Sequence, residues 1–448
     1  MKATKMSVHT TFGAGDWNQQ FHQTVAFTDS RGTENKVVNL YPDITDQTFE
    51  GFGGAFNESA AYVYSLMPEK EKRALLETYF GKDGMNYQFV RVHMDSCDFS
   101  LGQYEAMSDP GDVELKSFSM ERNEKYIIPM LLDAEKVAGR KLRLMLSPWS
   151  PPAFMKTNGK REKGGKLKPE YRAMWAEYLC RYIEAYRKRG FIVQRISLQN
   201  EPHAVQAWDS CIYSAEDEKV FLRDYLYPAM QRHGLTGIEV FIWDHNKERV
   251  YERMRDTIDA NTDSMIAGAA FHWYSGDHFD ALDLCRRFFP DKKLIVSESC
   301  IEFYKFDPKD AAGAAICMAH EILGDLNHGI NAFYDWSVLL DERGGPNYVD
   351  NFCLAPFLYD TQTKKLKQQL IGQYIAHFCE AAMPGSVHVP HSSYSDQVEA
   401  TAWKRPDGTI AIVLLNRSME NQPVVVRMCD REAGVLLYPE SITTSIVK

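Results

Sequence analysis

The chain has 448 residues, 44% hydrophobic and 25% charged, the balance of a folded globular protein with a large core, and this excludes a disordered chain. A formal net charge of -10 leaves no basic footprint for nucleic acid or an anionic membrane surface, so a neutral substrate is expected. Nine cysteines without paired spacings or a CxxC exclude a zinc framework and suggest reduced thiols.

No apolar segment follows Lys2 and Lys5, and no run reaches the roughly 18 apolar residues of a membrane span. A cytoplasmic chain without stable membrane insertion is expected as written, and secretion without a cleaved signal fits the same residues. In chain order, two β-like runs come first, Thr24 to Phe27 and Val37 to Tyr41, around the polar turn Asp29-Ser30-Arg31-Gly32. Two strands do not stand alone in water and need a sheet to join.

From Phe49 the rhythm becomes strand, loop, helix, repeated. Apolar runs predict strands at Phe49 to Phe56, Tyr87 to Met94, Lys141 to Leu146, Phe191 to Leu198, Gly237 to Trp243, Met265 to Phe271, Lys293 to Ser297 and Ile330 to Tyr334. Between them, Tyr171, Met174, Trp175, Tyr178, Tyr182 and Tyr186 recur at helical spacing, with Pro169 suited to a first turn and Gly190 placed to end the helix. Strand and helix alternating eight times predict an α/β fold, a (β/α)8 TIM barrel. From about residue 386 the pattern is β again, through Val387 to Val389, Val398 to Trp403, Ile410 to Leu415 and Val424 to Val426, with Asp407-Gly408 as a hairpin turn. The expectation is a catalytic barrel over 49–380 and an attached all-β sandwich built from both termini, residues 1–48 and 381–448.

The strand ends collect chemistry. The second strand carries Arg91 and runs on to Asp98; the third ends at Trp149, the fourth in Asn200-Glu201-Pro202, the sixth in His272-Trp273-Tyr274, the seventh in Glu298 and the eighth in Asp335-Trp336. Singly, each has a plain reading: Glu201 or Glu298 as a helix cap, a tryptophan as core, His272 as a structural histidine. His272 with His245 and His278 is a conceivable metal triad, but no HExxH or comparable spacing supports one, and neither metal nor cofactor is expected. Together the residues suit glycoside hydrolysis, which needs one carboxyl to protonate the leaving oxygen and a second across the anomeric carbon. The acid is expected to be raised toward neutrality and the second carboxylate held ionised, with Arg91 a plausible neighbour for it. Trp149, Trp208, Trp273 and Trp336 offer apolar faces to a sugar, and Asp98, Asn200 and His272 offer polar edges. The cluster Lys156, Lys160, Arg161, Lys163, Lys166 and Lys168 reads as a solvated mobile loop or, alternatively, a lid.

Phe49 to Gly54, Ser96-Cys97-Asp98-Phe99-Ser100, Ser147-Pro148-Trp149-Ser150-Pro151-Pro152, Lys156-Thr157-Asn158-Gly159, Gln199 to Pro202, His272-Trp273-Tyr274, Ser297-Glu298, Asp335-Trp336 and Gly344-Gly345-Pro346-Asn347 together resemble glycoside hydrolase family 30, in its glucosylceramidase-like branch. The resemblance implies a retaining enzyme without cofactor, with Glu201 as acid/base and Glu298 as nucleophile. It puts Asp98, Trp149, Asn200, Trp336 and Asn351 on the sugar, Arg91 and Tyr274 on the nucleophile, and His272 near the site. The loop His203 to Cys211 resembles bacterial members more than animal ones, which leaves the aglycone open. The expected substrate is a small-molecule or glycolipid β-glucoside. β-1,6-Glucan and β-xylosides are alternatives within the family, and a non-catalytic carbohydrate-binding protein is the alternative outside it. Oligomeric state is not legible.

Overall fold

The computed structural model describes residues 3–14 and 17–448. The eight apolar runs become eight parallel strands: Gly51–Ala55, Phe89–Met94, Arg143–Pro148, Ile192–Ser197, Glu239–Asn246, Gly268–His272, Lys293–Glu298 and Ala332–Asp335. They are called strands one to eight below. Each pairs with its neighbours in sequence, and strand eight pairs with strand one, so the sheet closes into a barrel. Closure brings backbones close at Gly54, where a Cβ would lie 2.2 Å from Asp335 Oδ1. Glycine is what lets strand eight deliver its carboxylate there.

The barrel interior is plugged by Phe89, Met145, Phe241, Ala270, Ile295, Ala332 and Tyr334, all buried. Each of the larger ones contributes about 1.5–3 kcal/mol of burial, and the plug separates the two ends of the barrel. Helices wrap the outside because their apolar stripes cover strands that are buried on both faces. The helix expected before Gly190 spans Arg172–Lys188, and Gly190 takes a left-handed φ of 85°.

The sandwich has a six-stranded and a five-stranded sheet, and both termini contribute strands to each. Val37–Leu40 pairs in parallel with Gln422–Met428, as a sheet shared by the two ends requires. Three of its longest strands, Lys5–Ala14, Arg431–Leu437 and Ser441–Val447, lie outside the predicted runs. Serines, threonines and a histidine in the first and last, and Arg431, Glu432 and Gly434 in the other, break up the apolar pattern, so they carry little apolar signal. One face of the six-stranded sheet packs Trp403, Val413, Leu415 and Ile442 into the barrel's own hydrophobic core. The sandwich is thereby fixed to the last two long helices, Ala311–Asn327 and Leu370–Ala381. Among the described residues no helix is long and apolar enough to cross a membrane.

Candidate active site

Strands two, four, five, six and seven meet at the C-terminal end of the barrel around one buried guanidinium. Arg91 points up from strand two. Its Nη1 donates to Glu298 Oε2 at 2.5 Å, its Nη2 to Asn200 Oδ1 and Asp244 Oδ2 at 2.9 Å each, and its Nε to Ser147 Oγ at 3.2 Å. A planar fork with five N–H donors can hold that many acceptors at fixed angles; an ammonium cannot. The same guanidinium lies 4.8 Å from the Trp149 ring and 5.5 Å from the Trp336 ring. Those two indoles stack with centroids 5.3 Å apart.

Glu298 ends strand seven. Besides Arg91 it accepts a hydrogen bond from the Tyr274 hydroxyl at 3.0 Å. Glu201 follows strand four with a left-handed φ of 46°, a conformation costing about 1–3 kcal/mol for a residue with a Cβ. Its neighbours hold that geometry: Asn200 N donates to Pro148 O at 2.8 Å and Glu201 N to Asp244 O at 2.9 Å, which ties the turn to strands three and five. One carboxylate oxygen of Glu201, one of Glu298 and a ring nitrogen of His272 all lie within 4.8 Å of one another.

His272 contacts Glu201 Oε1 through Nδ1 at 3.3 Å and Asp244 Oδ1 through Nε2 at 3.1 Å. Burial alone lowers its pKa, but the charge of Glu298 and hydrogen bonds to Asp244 and Glu201 outweigh that and carry it to about 9. Both ring nitrogens of His272 are thus engaged by carboxylates. The three histidines considered together in the sequence do not converge, since His278 is exposed and turned to Ser275 O at 3.2 Å.

Above these groups opens a cavity of about 630 Å³, lined by Asp98, Trp149, Asn200, Glu201, Trp208, Tyr274, Glu298, Trp336 and Asn351 among others. Asn351 Nδ2 donates to Asp98 Oδ2 at 3.1 Å. Burial and the charge of Glu298 push Asp98 up to about 8 despite that bond, so near neutrality it offers a sugar hydroxyl an O–H as well as an acceptor. His272, expected among the sugar contacts, is instead fully buried behind the carboxylates. Arg91 is likewise beneath the cavity wall.

A match to the glycosyl hydrolase family 30 TIM-barrel domain covers residues 49–381, and a match to that family's β-sandwich domain covers 385–445. The chain belongs to glycosyl hydrolase family 30. Among its curated relatives is the mouse lysosomal acid glucosylceramidase, 30% identical over 419 residues, 89% of this chain and 80% of that protein. Another is the endo-1,6-β-D-glucanase of Neurospora crassa, 26% identical over 55% of this chain and 52% of that one. Among solved structures, SrfJ from Salmonella typhimurium superposes with a TM-score of 0.93 at 35% identity over 99% of both chains.

In this family 30 hydrolase the two carboxyls and His272 form one electrostatically coupled set. Burial pushes Glu298 up, with the charge of Glu201 adding to that push against His272 and Arg91. Burial also acts on Glu201, but the hydrogen bond from His272 and the nearby charges of His245 and His272 hold it at about 2. His272 Nδ1 lies 3.3 Å from Glu201 Oε1 and 3.9 Å from Glu298 Oε1, so a proton on it is shared with the pair and the three groups titrate as one unit.

The site also holds residues absent from the sequence reading. Strand five runs to Asn246 rather than stopping at Trp243, and its polar end brings in Asp244 and Asn246 on either side of His245. Asp244 is fully buried and held well below the usual carboxylate range: burial raises it, and Arg91 and His272 more than offset this. Gln206 also reaches the cavity. The signal available was positional, a polar run following the fifth of eight strands.

Proposed function

We propose that the protein is a retaining, exo-acting β-glucosidase of the glucosylceramidase type, working by double displacement. The observation that carries this is the separation of Glu201 and Glu298, whose nearest oxygens lie within 4.8 Å. Retaining enzymes keep their carboxyls about 5–5.5 Å apart, and inverting ones leave about 6.5–9.5 Å for a water. Arg91 and Tyr274 both bond Glu298 and neither bonds Glu201, which suits Glu298 as the nucleophile.

With the shared proton moved from His272 to Glu201, Arg91 and Tyr274 keep Glu298 ionised. Glu298 attacks the anomeric carbon while Glu201 gives its proton to the glycosidic oxygen, and the aglycone leaves as an alcohol. Glu201, now a carboxylate, takes a proton from water, whose oxygen displaces Glu298 from the opposite face. Two inversions give net retention. The left-handed turn at Glu201 aims the acid at the aglycone side, and the stacked indoles suit the apolar face of the sugar.

A second reading within the family, a β-1,6-glucanase, is favoured by the polar outer wall of the cavity, where Gln206, Glu302, Lys305 and Asp350 suit a sugar leaving group. β-Xyloside cleavage is the remaining family alternative. Incubation in parallel with fluorescent glucosylceramide, a gentiooligosaccharide, an aryl β-glucoside and an aryl β-xyloside separates them. The expected result is turnover of both β-glucosides, with β-glucose as the first anomer seen by proton NMR. Turnover of the xyloside or the oligosaccharide alone, or α-glucose appearing first, contradicts the proposal.

A further inference from the structure

The basic loop after strand three is more than a solvated face. Lys160, Lys163 and Lys166 are exposed, but Lys156 and Arg161 are buried, at 0% and 3% exposure. Lys156 Nζ donates to Arg161 O at 2.8 Å and to Ser210 O. Arg161 Nε donates to Asp209 Oδ1 at 3.0 Å, and its Nη1 to Asp95 Oδ2 at 3.3 Å. Asp95 is itself fixed by the hydroxyls of Tyr178 and Tyr182 on the following helix. The loop therefore joins the end of strand two to the loop after strand four, where the acid/base lies.

What it grips there is the segment Gln206 to Ser210. Lys163 N donates to Gln206 O at 2.9 Å, Ser210 N to Arg161 O at 3.0 Å, Gly164 N to Ser210 Oγ at 2.9 Å and Gln206 N to Ser210 Oγ at 3.3 Å. Gln206 and Trp208 from this segment and Glu201 line the same cavity wall. Gln206 shares that wall with Glu201, near enough for its side-chain amide to favour the ionised carboxylate. An amide suits a residue that alternates between acid and base, because its N–H2 donates to the carboxylate and its carbonyl accepts from the carboxylic acid. The clamp is built from two buried carboxylates and a fork of guanidinium donors, an arrangement that fixes angles as well as distances.

We propose that the Arg161 to Asp209 ion pair is a positioning device that holds Gln206 against Glu201, so that this loop sets how well the acid/base protonates poor leaving groups. The proposal rests on Glu201 being the acid/base. Gln206 acts on the proton donor, and Arg161, Asp209 and Lys156 act through Gln206. Cleavage of a glycoside whose leaving group departs without a proton bypasses the whole device.

The test compares kcat/KM on 2,4-dinitrophenyl β-glucoside, which needs no acid, with that on phenyl β-glucoside, which does. Glu201→Gln is the reference, with a loss on the phenyl substrate about 10²–10⁴-fold larger than on the dinitrophenyl one. Gln206→Met is expected to lose about 10-fold on the phenyl substrate and less than about 2-fold on the other, a fraction of the full acid effect. Its basic pH limb moves to higher pH, because a donor to the carboxylate is gone. Arg161→Met and Asp209→Asn are expected to show the same split between substrates. If Arg161→Met does not fold, Asp209→Asn and Gln206→Met still decide. Equal losses on both substrates in Gln206→Met, no loss at all, or a split in Gln206→Met that Asp209→Asn lacks overturns the proposal while leaving Glu201 as acid/base. Absence of the split in Glu201→Gln overturns the assignment of Glu201 itself.

Discussion

The two ends of the barrel each hold a fully buried arginine on aromatic faces, yet they are balanced oppositely. At the N-terminal end Arg195 lies 4.3 Å from the Phe89 ring, with Glu50 and Glu239 as ion-pair partners that are shared with Lys293. Cations match or exceed carboxylates there, and every carboxylate is paired. At the C-terminal end the four carboxyls Asp98, Glu201, Asp244 and Glu298 face Arg91 and two histidines, His272 and His245. Four groups there are displaced from their ordinary pKa by large amounts: Asp98 to about 8, Glu201 to about 2, His272 to about 9, and Asp244 well below the usual carboxylate range. The contrast teaches that charge excess, rather than charge itself, marks the reactive end: a closed set of ion pairs holds strands together, and an open one is poised to move a proton.

Four substitutions break or sharpen that contrast. Glu298→Ala is expected to cost about 10⁴-fold or more in kcat on an aryl β-glucoside while the melting temperature stays level or rises, since it relieves the carboxylate excess. Glu201→Ala is expected to recover turnover of an activated glucoside when azide is added, giving β-glucosyl azide, because azide enters from the face the acid has vacated. At the other end Arg195→Met leaves the half-buried Glu50 and Glu239 with Lys293 as their remaining ion-pair partner, so a loss of about 1.5–3 kcal/mol by denaturant unfolding is expected, with kcat of the folded enzyme near normal. Lys293→Met, at a partly exposed site, is expected to cost on the order of 1 kcal/mol and nothing in turnover.

The pH dependence has a defined sign. His272 is raised from 6.5 to about 9, so its contribution to stability is complete below 6.5 and is lost as pH rises through 9. Glu201 is lowered from 4.5 to about 2, so its contribution is present above 4.5 and lost as pH falls through 2. Stability owed to this pair is greatest between those limits, and His272→Gln is expected to flatten that dependence in pH-resolved unfolding. The same variant is expected to move the basic limb of kcat/KM to lower pH, because the cluster's proton is then held by carboxyls alone.

Much of this was legible in the residues. The eight barrel strands were readable because strands buried on both faces are apolar throughout, and the pair Glu201 and Glu298 because each ends such a run. Asp244 was not readable, since the polar end of strand five looks like the start of a loop; only the close packing of Arg91 and His272 makes it a site residue. That His272 reaches both carboxylates, and so couples their titration, is a fact of three dimensions. In the basic loop, nothing in the sequence sets Lys156 and Arg161 apart from the exposed Lys160 and Lys163 as burial candidates; their burial follows from Ser210, Asp95 and Asp209, which are distant in the chain. The sandwich strands Lys5–Ala14 and Ser441–Val447 escaped for the opposite reason: their polar residues are buried against the barrel helices, as His377 shows by bonding Thr11 and Thr444 at 2.8 Å each.

The central claim is that Glu298 attacks the sugar and Glu201 serves the proton. Brief reaction with an activated 2-deoxy-2-fluoro-β-glucoside, which slows the second displacement more than the first, followed by peptide mapping by mass spectrometry, tests it most directly. The account predicts a single fluoroglucosyl adduct on Glu298, absent in Glu298→Ala. An adduct on Glu201, or hydrolysis of activated β-glucosides with no adduct on either carboxylate, contradicts it.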